Sequence, residues 1–183
     1  MQTKLNRTKL CRVCRTSFSP RSSTQIVCGW ECAIELNNVQ RIRISKKETR
    51  DAKLRLKSRA DWAREAQSAF NKYIRERDRS EPCISCQRHH QGQYHAGHYR
   101  SVGAISGLRF NEFNVHKQCA PCNNHLSGNI VNYRINLIKK IGIEEVEWLE
   151  SYNEVSKYTI DDLKAIKKKY VDKFTNMNNN ELT

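Results

Sequence analysis

Cys83-Ile-Ser-Cys86, then Ala96-Gly-His98-Tyr99, then Asn114-Val-His-Lys-Gln-Cys119-Ala-Pro-Cys122-Asn123-Asn-His-Leu-Ser-Gly-Asn129 is the stretch on which the reading of this chain turns. Two Cys-x-x-Cys knuckles bracket a His and an Asn. Thiolates at that spacing can close a tetrahedral zinc site. A zinc held by four thiolates keeps no open position, so Cys83, Cys86, Cys119 and Cys122 are expected to be structural ligands that activate no water. Hydrolysis of a phosphodiester beside them would need three further groups: a base for the water, a hard cation at the phosphate and something to orient the base. His98 suits the first role, because an imidazole near its reference pKa of ~6.5 is largely neutral at physiological pH. Asn114, five residues before Cys119, suits the orienting role. Asn123, directly after Cys122, could present an amide oxygen to Mg2+ or Mn2+, ions that prefer oxygen ligands. His95 and His125 are spare candidates for metal or phosphate, and His89, His90 and His116 are expected in surface or hairpin roles. A lone histidine is more often an ordinary hydrogen-bonded residue than a catalyst; it is the shared frame between knuckles that favours catalysis at His98.

The other four cysteines, Cys11, Cys14, Cys28 and Cys32, repeat the arrangement of two close pairs. They predict a second structural Zn2+ in a small knuckle, with a turn-rich loop between the pairs around Ser17, Ser19, Pro20, Ser22 and Ser23. Disulfides are the weaker explanation. The first ten residues lack the apolar core of a secretory signal, and no apolar run is long enough to span a bilayer. A reducing, cytoplasmic setting with no membrane partner is therefore expected. With 38% hydrophobic and 28% charged residues in a chain of 183, thin cores stapled by metal are the economical solution.

The formal charge is +14 and is concentrated at the start, where residues 1–60 hold fifteen Lys and Arg against four Asp and Glu. Phosphate backbones reward such a surface through counterion release. Arg41, Arg43, Lys46, Lys47, Arg50, Lys53 and Arg55 fall in a stretch without Gly or Pro, which predicts a basic linker helix that touches phosphates. The same run would also suit an ordinary solvated face.

Ser58-x-x-Asp61 reads as a capping box, followed by Trp62, Ala66, Phe70, Tyr73 and Ile74 at helical spacing, an aromatic stripe expected to pack in a core. After Asn129 the chain turns helical again over Val131–Ile141 with Gly142 as terminator. A short helix over Ile143–Tyr152 follows, and then one capped by Thr159-x-x-Asp162. The division expected is a knuckle over 1–40, a basic linker and amphipathic helix over 41–80, the zinc-stabilised core over 81–130, a helical region over 131–176 and a frayed tail over 177–183.

The central spacing resembles the ββα-metal, or HNH, endonucleases of the zinc-containing type, whose pattern runs Cys-x2-Cys, Asp-His-Ile, Asn-Leu-x-x-Leu-Cys-x2-Cys-Asn/His. His98, Asn114 and Asn123 fall on that family's three named positions. More narrowly, Arg75-Glu-Arg-Asp-Arg79, Pro82-Cys-Ile-Ser-Cys86, Ala96-Gly-His-Tyr-Arg100, Leu108-Arg-Phe-Asn-Glu112, His116-Lys-Gln-Cys119 and Ser127-Gly-Asn129 are similar to the NinG family of lambdoid phages, also called Rap. The resemblance covers most of the chain. It implies an α+β fold with a ββα-metal core, and a recombination endonuclease in the bacterial host that cuts branched DNA such as Holliday junctions and D-loops with a divalent cation. Other recombination proteins are then natural partners, and a homodimer suits a roughly two-fold junction. The chain departs from the pattern where a carboxylate is usual. Gly97 stands directly before the histidine where the general pattern has Asp, and His95 stands where NinG relatives have one. His95 or Glu112 could substitute for it. The alternatives are a zinc protein that binds DNA without cutting, and a sequence-specific restriction or homing nuclease.

Overall fold

Cys11 and Cys14 lie in a tight turn that reverses the chain between two short strands, β1 (Lys9–Leu10) and β2 (Ser17–Phe18), paired antiparallel. Cys11 N donates to Thr16 O at 2.9 Å, and Arg15 takes a left-handed φ of +62° to make the reversal. Cys28 and Cys32 straddle the start of α1 (Trp30–Arg55). The basic helix expected after residue 40 thus begins at the second cysteine pair, as one element of 26 residues. Nothing in its sequence interrupts it, since neither Gly nor Pro occurs between Trp30 and Arg55.

The computed structural model describes residues 8–180, and the chain divides into two compact units between Lys57 and Ser58. The boundary expected at 40/41 is therefore displaced. The basic stretch belongs with the first knuckle, and the amphipathic helix that follows belongs with the second. The physical reason is local, because Ser58 starts a new helix. Its hydroxyl accepts from Asp61 N at 3.2 Å while the Asp61 carboxylate accepts from Ser58 N at 2.9 Å, the reciprocal capping box read from the sequence.

That helix, α2 (Arg59–Arg77), buries Trp62, Ala66, Phe70, Tyr73 and Ile74. It packs against α5 (Ile160–Asn180), whose Leu163 and Tyr170 are buried in return. Between them in sequence comes a hairpin of β3 (Tyr94–His98) and β4 (Val115–Cys119), antiparallel, with Tyr94 opposite Cys119 and His98 opposite Val115. Residues 99–114 connect the strands through a 3-10 turn at Ser106–Leu108. A π-helical turn, Pro121–His125, follows β4 and leads to α3 (Ile130–Ile141) and α4 (Ile143–Ser151), joined by Gly142 at φ +89°.

Three apolar clusters hold this unit among the described residues, one of them Trp62 and Ala66 of α2 with Leu163 of α5. Phe70, Tyr73, Ile74, Val115 and Tyr170 join α2 and α5 to the hairpin. Ile84, Tyr99, Ile105, Leu108, Tyr133, Leu137, Val146 and Leu149 join the strand connection to α3 and α4. The fold is mixed α and β. α5 is helical through Asn180, so the fraying expected from 177 does not begin there; residues 181–183 lie outside the described residues.

Candidate metal centres and the His98 cavity

In each cysteine tetrad the four sulfurs lie within 4.8 Å of one another. Cys14 Sγ and Cys28 Sγ are 3.6 Å apart, Cys28 Sγ and Cys32 Sγ 3.6 Å, and Cys86 Sγ and Cys119 Sγ 3.9 Å. Four sulfurs ~2.3 Å from a zinc at tetrahedral angles would be separated by about 3.8 Å, whereas a disulfide needs ~2.05 Å. The spacing therefore suits zinc and excludes disulfides. Electrostatics agree. A hydrogen bond with Cys28 is the main cause that pushes the Cys32 thiol up to about 12, and burial is the main cause that pushes Cys119 up to about 12. Four thiolates at this spacing need a divalent cation among them.

The backbone presents the second tetrad. Gln87, at φ +53°, returns its N–H to Cys83 O at 2.8 Å, and Cys83 N donates to Arg88 O at 3.1 Å. Ile84 N donates to Lys117 O at 3.0 Å, which ties the first knuckle turn to β4. Cys119 N points at Cys83 Sγ from 3.4 Å, and Asn129 Nδ2 donates to Cys122 Sγ at 3.5 Å. His90 also belongs here, with Nε2 3.1 Å from Cys86 Sγ. It is a partner of the tetrad.

His98, at the end of β3, is half-buried, and its Nε2 lies 3.1 Å from Arg109 O. A carbonyl only accepts, so Nε2 carries the proton and, in the neutral ring, Nδ1 keeps its lone pair. Burial lowers the His98 pKa below its ordinary value; the Arg109 charge adds to this, and the bond to the Arg109 carbonyl partly opposes it. The side chain is accordingly a neutral imidazole whose acceptor Nδ1 has no hydrogen-bond partner among the described residues. It lines a cavity of about 520 Å3 together with Arg100, Ser101, Asn123, Ser127 and Ile130. Asn123, in the π-helical turn, donates from Nδ2 to Asn124 Oδ1 at 2.9 Å, and its own amide oxygen has no partner among the described residues. Two of the three residues singled out from sequence thus share one cavity.

Asn114 does not join them there. It is fully buried, and its amide is consumed by the strand connection. Oδ1 accepts from Arg100 N at 2.8 Å, and Nδ2 donates to Arg100 O at 3.0 Å and to Leu108 O at 3.2 Å. It pins the loop that follows His98 and supplies Arg109 O, so its action on His98 passes through the backbone. Asn111, which the sequence did not flag, accepts from Asn114 N at 3.1 Å and Phe113 N at 2.9 Å.

Neither stand-in for the missing carboxylate is at the cavity. Glu112 is engaged by Tyr73 Oη at 2.9 Å and Lys173 Nζ at 2.6 Å. His95 pairs across the hairpin with Gln118 and is not among the residues that line the cavity. Gly97 has no space for a side chain, since a Cβ there would overlap Gln118 Oε1.

His116, expected at the surface, is buried. Its Nε2 donates to Phe113 O at 3.1 Å and its Nδ1 accepts from Arg77 Nη2 at 2.9 Å. Arg77 also forms a bidentate pair with Asp78 at 2.8 Å. Burial alone would raise the Asp78 pKa, but the bidentate hydrogen bonds and positive charge of Arg77 hold it well below the usual carboxylate range. This ion cluster fastens the end of α2 to β4. The seven basic residues Arg41, Arg43, Lys46, Lys47, Arg50, Lys53 and Arg55 are all exposed on α1. Among the described residues no helix is long and apolar enough to cross a membrane.

Comparison with known proteins follows the same lines as the motifs. The family model described as bacteriophage lambda NinG protein matches residues 3–181. The ninG protein of Escherichia phage lambda is 42% identical over 184 aligned residues, covering 91% of this chain and 90% of that protein. Those of Escherichia phage 933W and Salmonella phage P22 are each 40% identical, over 187 and 182 residues. They cover 92% and 90% of this chain and 93% and 90% of their own lengths. No solved structure matches the chain. On the family match and these full-length relatives, the chain belongs to the NinG family of lambdoid phages.

Proposed function

We propose that this protein is an endonuclease that cuts branched DNA with the help of Mg2+ or Mn2+. The observation that carries the reading is that a neutral His98 and Asn123 line one cavity, with no hydrogen-bond partner for His98 Nδ1 or Asn123 Oδ1 among the described residues. His98 Nδ1 accepts a proton from the attacking water. Asn114 holds the loop through Arg100 and Leu108, so that Arg109 O stays on Nε2–H and fixes the tautomer. The second cysteine tetrad is scaffold, keeping β4 and the Asn123 turn in register. The donor set fits a hydrated hard cation, since Asn123 Oδ1 is a neutral oxygen and the remaining ligands are water and phosphate. A bound cation would stabilise charge on the scissile phosphate and the departing 3′ oxygen.

DNA as the substrate is supported by α1. Successive residues of an α-helix are ~100° apart, which places Arg43, Lys46, Lys47, Arg50 and Lys53 within an arc of about 120°, a single cationic face. The preference for branched DNA rests on the family resemblance. One observation favours the rival reading of a zinc protein that binds DNA without cutting: no carboxylate lines the cavity among the described residues.

The experiment is cleavage of a four-way junction and of a linear duplex of matched sequence, with Mg2+ or Mn2+. His98→Ala should remove cutting while leaving the circular dichroism spectrum and junction affinity unchanged. A depressed His98 pKa has a sign that can be checked. The base is lost only as pH falls through a value below ~6.5, so the rate should be flat from ~7.5 to ~6.5 and decline under that. A variant that cuts as fast as the parent would remove His98 from the mechanism.

A further inference from the structure

Phe113 is an aromatic side chain that the fold exposes and yet holds still. It is 49% exposed, belongs to none of the apolar clusters and makes no ring contact among the described residues. Its backbone is locked on both sides. Phe113 N donates to Asn111 Oδ1 at 2.9 Å, Phe113 O accepts from His116 Nε2 at 3.1 Å, and Glu112 O just before it accepts from Arg77 Nη1 at 2.9 Å. A groove of about 560 Å3 opens beside this ring, walled by Phe110 of the same segment, Tyr170 of α5 and the two lysines Lys140 and Lys169. That volume falls among small-ligand sites, which run from roughly 300 to 1,000 Å3. Charge sets the kind of occupant. The carboxylate of the groove, Glu112, is paired with Lys173, and its Arg77 is paired with Asp78. Lys169 is exposed and has no ion pair among the described residues, while Lys140 is held loosely, 3.5 Å from Asp78 and 4.0 Å from Glu81. Asn111 Nδ2, also at the groove, has no hydrogen-bond partner among the described residues. A fixed apolar ring, two available ammonium groups and one amide donor match a flat heterocycle that carries a phosphate.

We infer that this groove binds an unpaired nucleotide of a DNA strand, with the base stacked on Phe113 and the phosphate at Lys140 and Lys169. Stacking on an aromatic side chain tolerates any sequence, because every base has a π face. It does require a base that has left the helical stack. Both faces of a base inside a duplex are already covered, so the groove passes over a linear duplex and takes the unpaired bases of a branch or a tail. The inference rests on the nuclease reading for the identity of the polymer, but it concerns binding and not cutting. Arg109, whose carbonyl holds His98 Nε2, lies four residues before Phe113, a span of at most ~14 Å. A captured base is thus anchored to the same segment that orients His98, which gives a preference for branched DNA a physical basis in this chain.

The test is fluorescence anisotropy of the full-length, zinc-loaded protein, without added Mg2+ or Mn2+, on labelled duplexes that are blunt, that carry a single-stranded oligothymidylate tail, or that carry an equally long tail of abasic sites. The parent should bind the oligothymidylate tail roughly 5- to 100-fold more tightly than the abasic one. Phe113→Ala should erase that difference and leave blunt-duplex affinity and the circular dichroism spectrum unchanged. Phe113→Trp keeps a flat face and should retain it. Lys169→Gln should lower the magnitude of the log K against log salt slope on the tailed duplex by about 0.7, the value for one single-strand phosphate. The inference is overturned if the parent binds natural and abasic tails alike, or if Phe113→Ala weakens blunt and tailed duplexes equally. It is also overturned, in favour of a second copy of the chain at this face, if sedimentation shows a parent dimer that Phe113→Ala makes monomeric with no loss of tail binding. A parent that cuts junctions yet does not distinguish the two tails sinks this inference and spares the nuclease reading. Base-dependent binding with no cutting in any divalent cation does the reverse.

Discussion

Gly97 shows how one residue fixes what chemistry its neighbour can have. The Gln118 amide is wholly buried. Its Nε2 donates to Ser85 Oγ at 2.7 Å and to Gly128 O at 2.5 Å, and its Oε1 has no hydrogen-bond partner among the described residues. That oxygen occupies the space a side chain at 97 would take. The glycine is therefore a packing requirement for the tie between the first knuckle, β4 and the turn before α3. Gly97→Ala drives a methyl into Oε1 and to 3.0 Å from Gln118 Cβ, so the amide must rotate and give up its bonds to Ser85 and Gly128. We expect a loss of about 1–3 kcal/mol, as for overpacked cores, seen as a lower urea midpoint with an unchanged slope. In Gly97→Ala combined with Gln118→Ala the overlap with Oε1 is absent and only the 3.0 Å approach to the Cβ at 118 remains, so the two losses should be less than additive. Strict additivity in that double-mutant cycle would show that Gly97 and Gln118 do not interact as described.

At the scale of elements, the part of the architecture set by local chemistry was legible in the sequence. Both capping boxes are present as read, at Ser58 and at Thr159, whose hydroxyl accepts from Asp162 N at 3.2 Å. The cysteine spacing located both tetrads. His98 and Asn123, singled out from the same spacing, line one cavity because each sits within a turn of a knuckle or strand end. What escaped depends on partners far apart in the chain. Arg77-Asp78 looks like part of a solvated charge run, and only its pairing with His116, 39 residues on from Arg77, makes it a buried cluster. The commitment of Glu112 to Lys173 is equally non-local. The α1 boundary was misplaced for the opposite reason, since the change from mixed to basic composition near residue 40 marks no change in backbone. α1 has no buried residue, which separates its charge from its stability. Replacing Arg43, Lys46, Lys47, Arg50 and Lys53 by Gln should leave the thermal midpoint in place. It should weaken junction binding and reduce the magnitude of the log K against log salt slope by roughly 0.9 for each phosphate that is no longer neutralised. Arg41 and Arg55 lie off that arc, and the same change at those two positions should have a smaller effect. An unaltered slope in the five-site variant would take α1 out of the DNA interface.

For the molecule as a whole, the two units depend on metal to different degrees, and this follows from what each buries. Among described residues 8–57 the single buried residue is Cys11, a proposed ligand. Without zinc the first unit has no apolar core to oppose chain entropy, so its hairpin and Cys28 turn are metal-dependent outright. Beyond Ser58, Phe70, Ile74, Leu108, Tyr133, Leu137 and Leu149 are all essentially inaccessible to solvent, in clusters separate from that formed by Cys83, Cys119 and Cys122. Zinc loss there frees the knuckle and the base of the hairpin while leaving the packing of α2 on α5 standing. A strong chelator should therefore produce loss in stages, not one cooperative transition. Hydrogen exchange resolves the stages. Amides of Cys11 and Cys28 should lose protection completely on chelation, those of Cys83 and Cys119 in large part, and those of Phe70, Ile74 and Leu163 should stay protected. Restoring Zn2+ should return protection in both tetrads. Simultaneous loss at Cys11 and Phe70, at one chelator concentration, would mean that the second unit is folded by its metal and not by its core.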